Sequence, residues 1–217
     1  MRFLDAWAAL PMTEFLRMSV PAALLALASL VPGRPVAAFT ALGIALSLPF
    51  LRPIGVPAPA MAGWTLLWLV VTWGVSFGPR EAPRKRARLG GLESGTIGLL
   101  LGLALLALAV AGVARLDLAA VPTRWTSYGV LLAGLGLLHL MLRRHVARAA
   151  AAFAAMGLGL QVLTGVLRLG LASTEPAATG LPLLAAALAV GLALRIAYAR
   201  ESALGSGWVS DAHDLHD

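Results

Sequence analysis

The sequence predicts an all-α, polytopic integral membrane protein with about seven transmembrane helices. Three observations predict it. The chain is 59% apolar and only 12% charged over 217 residues, with a mean hydropathy of +0.85. Its apolar residues gather into long runs separated by short polar connections. Its ten carboxylates all avoid the middles of those runs, where an acid would be costly and usually functional. A water-exposed domain of this length needs far more polar surface.

The runs are taken in chain order: Met18–Pro32, Val36–Leu51, Ala60–Gly78, Gly95–Ala114, Ser127–Leu142, Ala149–Leu171 and Leu181–Ala199. Each approaches the roughly 20 apolar residues that a helical crossing needs. The first two are short and parted only by Gly33-Arg34-Pro35, which fits a tight hairpin of tilted helices better than a re-entrant pair. Ahead of them, residues 1–16 set Arg2, Asp5 and Glu14 among Phe3, Leu4, Trp7 and Leu10, the pattern of a short interfacial helix. The acids in that stretch argue against a cleaved signal peptide. Trp64, Trp68, Trp73 and Trp125 fall on or near run ends, where an amphipathic ring sits well at headgroup depth.

Charge sets the expected orientation. Arg80, Arg84, Lys85, Arg86 and Arg88 crowd the loop Pro79–Ser94, and such a loop resists translocation. The N-terminus is then expected outside and the C-terminus in the cytoplasm. Arg34, Arg143, Arg144, Arg148, Arg195 and Arg200 join the inner set, while Arg2, Arg17, Arg52, Arg115, Arg124 and Arg168 fall outside. The same loop divides the chain into residues 1–94, with an interfacial helix and three membrane helices, and residues 95–217, with four membrane helices and a short polar tail. A net charge of +7 reads here as contact with anionic lipid headgroups rather than nucleic acid. The expected location is the bacterial inner membrane. Cysteine is absent, which excludes disulfides and thiolate metal or iron–sulfur ligation by this chain.

Few residues can carry chemistry. No phosphate-binding loop, dinucleotide glycine motif, HExxH or nucleophile elbow occurs, and no two carboxylates are placed for acid–base work. The expectation is therefore no enzyme, no catalytic residue, no cofactor and no metal site. Within the tail, Asp211, His213, Asp214, His216 and Asp217 form a solvated acidic segment rather than a metal site. His139 can titrate near neutral pH, and Gln161 with Thr164 three residues on shares one helix face. These three are the candidates for a proton relay, although an amide holds no charge. His139 equally suits a single packing hydrogen bond. Arg143, Arg144, His145 and Arg148 mark a turn that reads as headgroup anchors or as a hinge where two subunits meet. Gly98 and Gly102 make a GxxxG step; Gly129, Ala133 and Gly136 follow, then Gly157, Gly159 and Gly165. Such residues let helices approach closely, either within the bundle or against other proteins of an assembly.

From Tyr128 to the end the chain resembles the small membrane subunit K of bacterial complex I, its small counterpart in multisubunit cation/proton antiporters, and component E of hydrogenase-4-type complexes. Gly134–Leu142 followed by Arg143-Arg144-His145 carries the resemblance, with Met156-Gly157-Leu158-Gly159, Ala185–Leu194 and the tail around Trp208-Val209-Ser210-Asp211. In the family an arginine is usually followed by asparagine; Arg144 matches the arginine and His145 replaces the asparagine. The family's intramembrane glutamates have no counterpart: Gly157 or Gly159, and Ala187 or Leu188, stand nearest them. The resemblance implies a non-catalytic membrane subunit of a complex-I-related, ion-translocating assembly, partnered by a large antiporter-like subunit and by anionic lipid. An accessory subunit of another respiratory or photosynthetic complex is the alternative, and a small-solute transporter a weaker one.

Overall fold

Proline and short turns cut the chain into its helices. The computed structural model describes residues 3–30, 42–43, 58–59, 61–63, 66, 92–116, 118–141, 146–171 and 181–204. Helix α1 (Phe3–Ala8) ends in a tightened turn, with the Leu10 N–H donating to Trp7 O at 3.1 Å. Pro11 has no N–H to carry the ladder further. Its carbonyl instead accepts from Glu14 and Phe15, each at 3.0 Å, and opens α2 (Met12–Leu30). Helix α3 spans Leu92–Arg115 and places Arg115 in its last turn, where a cation complements the helix dipole.

A turn follows, held by Leu116 N–H to Val113 O at 3.0 Å and Leu118 N–H to Leu116 O at 2.9 Å. Helix α4 (Ala120–Met141) then starts with Thr123 N–H on Ala119 O at 3.0 Å. Pro122 is harmless there, because first-turn N–H groups have no partner within the helix. Helices α5 (Val146–Leu171) and α6 (Leu181–Leu204) complete the chain, with Pro182 likewise in a first turn.

Helix α4 is the hub. It packs most extensively on α5, then on α3, and both α1 and α2 rest against it; α6 packs on α5. The core lies along this seam: Leu132, Leu135 and Leu138 of α4, Ala154, Ala155, Leu158 and Val162 of α5, Val190 and Ala193 of α6, and Met18 of α2. Trp7 and Ala22 lean on it from the N-terminal helices.

Small residues make the α4–α5 seam possible. A Cβ on Gly159 would meet Ala133 N at 2.6 Å and Gly129 O at 2.7 Å, and one on Gly136 would meet Ala152 O at 2.7 Å. These are backbone atoms of the facing helix, so only glycine fits. The pairs also fix direction: Gly129 lies opposite Gly159, and Gly136 opposite Ala152, so α4 and α5 run antiparallel. By contrast, a Cβ on Gly112 of α3 would meet nothing within 4 Å. Gly112→Ala is therefore expected to stabilise the protein by up to about 1 kcal/mol through helix propensity and a less flexible unfolded chain. A higher unfolding midpoint by circular dichroism checks this; an unchanged or lower one refutes it.

The expectation of an all-α chain agrees with the described helices, but the transmembrane expectation is corrected. Among the described residues, no helix is long and apolar enough to cross a membrane. In α4, Thr123, Arg124, Thr126 and Ser127 occupy the first half and leave only a short apolar stretch behind them. The seven-crossing topology, with an external N-terminus and a cytoplasmic C-terminus, is accordingly not what the described helices provide.

Helix limits also move. Helix α2 starts at Met12 instead of Met18, and α4 at Ala120 instead of Ser127, because turn residues and not hydropathy begin them. The expected runs Val36–Leu51 and Ala60–Gly78 fall almost wholly outside the described residues, as do the loop cations Arg80, Arg84, Lys85, Arg86 and Arg88 and the acidic tail.

Candidate functional site

Four polar side chains are buried among the described residues: Thr123, Ser127 and His139 of α4, and Gln161 of α5. Three hydroxyls in this region donate to their own helix backbone. Thr123 Oγ1 lies 2.8 Å from Ala119 O, Ser127 Oγ 2.6 Å from Thr123 O, and Thr164 Oγ1 2.9 Å from Gln161 O. Such local bonds satisfy a hydroxyl at little cost and leave it little to offer a ligand. Gln161 is 2% exposed. The antiparallel register puts it level with Gly129, next to the turn of α4 that carries Ser127 and Tyr128. Tyr128 is itself buried and meets Trp125 edge to face, with ring centroids 6.2 Å apart and planes at 79°. A polar layer thus crosses the α4–α5 seam near the start of α4.

His139 lies elsewhere. It is fully buried, at the far end of α4, and the same register sets it level with the Ala149–Ala152 turn of α5. Ten residues separate His139 from the level of Gly129, or about 15 Å along the helix at 1.5 Å per residue. The structure therefore brings Gln161 and Thr164 together and keeps His139 apart from both. Among the described buried residues, His139 is the one histidine.

The remaining sequence candidates are distributed as follows. Arg143, Arg144 and His145 lie outside the described residues, and Arg148 sits in the first turn of α5 with its side chain outside them. Gly102 is buried on α3, four residues before Leu106, which a Cβ on Gly134 of α4 would strike. Gly98 occupies the same face one turn earlier. Gly157 and Gly159 are both buried within α5. The small-residue faces of α4 and α5 are thus occupied by each other. Among the described residues, no group of His, Asp or Glu could hold a metal ion.

Sequence reading missed the polar layer. Its signal was present as Thr123 and Ser127 four apart with Tyr128 beside them, but Pro122 and Arg124 made that stretch look like a connection.

The wide separation has a testable consequence. Losses of stability in His139→Leu and Gln161→Leu are expected to add within about 0.5 kcal/mol in the double variant. A coupling energy above about 1 kcal/mol in that cycle would restore a shared network.

No protein-family model matches the chain, and neither curated proteins nor solved structures give a match.

Proposed function

We propose that this chain is a non-catalytic subunit of a membrane-bound, ion-translocating assembly related to complex I, and that it supports a larger apolar subunit instead of carrying charge itself. One observation carries the reading: the two flanking helices leave their outer faces apolar and uncovered. Helix α3 exposes Leu100, Leu101, Leu103, Leu105 and Leu108, and α6 exposes Leu184, Leu188, Leu192 and Ile196. The α6 set recurs every four residues and forms one continuous stripe. Contiguous apolar surface of this kind marks contact with an apolar neighbour, protein or lipid.

The interior supports the non-catalytic half of the reading. His139 and Gln161 are about 15 Å apart along the bundle, and the hydroxyls of Thr123, Ser127 and Thr164 are engaged with backbone. The link to complex I rests on the likeness from Tyr128 onward, including Arg144 and the absence of the family's glutamates. The bacterial inner membrane and anionic lipid are the location and the second partner that go with it.

Purification of the tagged chain from its own cells in mild detergent tests the proposal. Stoichiometric recovery of a larger, strongly apolar antiporter-like subunit is the expected result. A chain that purifies alone as a stable monomer, or that drives saturable solute uptake in vesicles, overturns it.

A further inference from the structure

We draw no further inference here: the strongest candidate, the uncovered aliphatic face of α3 around Leu103, Ala107 and Val110, carries nothing beyond the proposed role, because nothing in the structure shows what covers it.

Discussion

Gly159→Leu is expected to be the most damaging single change in the bundle. Any Cβ there would stand 2.6 Å from Ala133 N, 2.7 Å from Gly129 O and 3.0 Å from Ala133 Cα. None of those atoms can rotate away, so α4 and α5 must separate along their most extensive contact. Overpacking ordinarily costs roughly 1–3 kcal/mol, and a backbone clash belongs at or above the top of that range, so about 3 kcal/mol or more is expected. For a chain of this length that lowers the thermal midpoint by roughly 6–12 °C. Gly134 provides the internal control. There a Cβ would strike the terminal methyl of Leu106, which can move, so Gly134→Ala should cost far less than Gly159→Ala. Similar losses at the two positions, measured by thermal circular dichroism in one detergent, would show that the helices do not meet through glycine.

The second large effect comes from emptying the core. Leu158 of α5 is fully buried, in the cluster that includes Leu132, Val162 and Val190. Truncating such a side chain removes its burial and leaves a cavity that surrounding helices only partly close. Leu158→Ala is expected to cost about 2–5 kcal/mol. Leu158→Met, which keeps the volume, should cost less than about 1.5 kcal/mol. Leu188→Ala, on the exposed stripe of α6, should have almost no effect on the isolated chain but should weaken recovery of the larger partner. If instead Leu188→Ala destabilises the isolated chain as much as Leu158→Ala, the exposed stripe is packed within this chain and the docking role fails.

Helices α3, α5 and α6 were legible because each is a long apolar stretch bounded by charge or by a break, and their limits differ from the apolar runs by only a few residues. Helix α4 was legible from Ser127 on, through the run Ser127–Leu142, but Pro122 and Arg124 disguised its first two turns, although Pro122 sits where a proline costs nothing. Counting apolar residues over-read the chain as seven crossings, because a run of leucine and alanine looks alike whether it faces lipid, a partner or a neighbouring helix. Glycine spacing showed that some helices would approach closely, yet not which ones; pairing Gly129 with Gly159 needs the antiparallel register, a tertiary property. The same register separates His139 from Gln161. Their separation in the linear chain says nothing about distance once the helix reverses.

The N-terminal helices close on a partner that does not yet exist when they emerge from the ribosome. Helix α2 ends at Leu30, and α4, the element it rests on, begins at Ala120. At ordinary elongation rates of roughly 5–20 residues per second, the wait is on the order of ten seconds. During it Met18 and Trp7 have no hub to cover them. A chain truncated at Leu118 is expected to leave residues 3–30 open to limited proteolysis, and one extended through Met141 to protect them. Protection of residues 3–30 is therefore expected to arise only once the hub has been made.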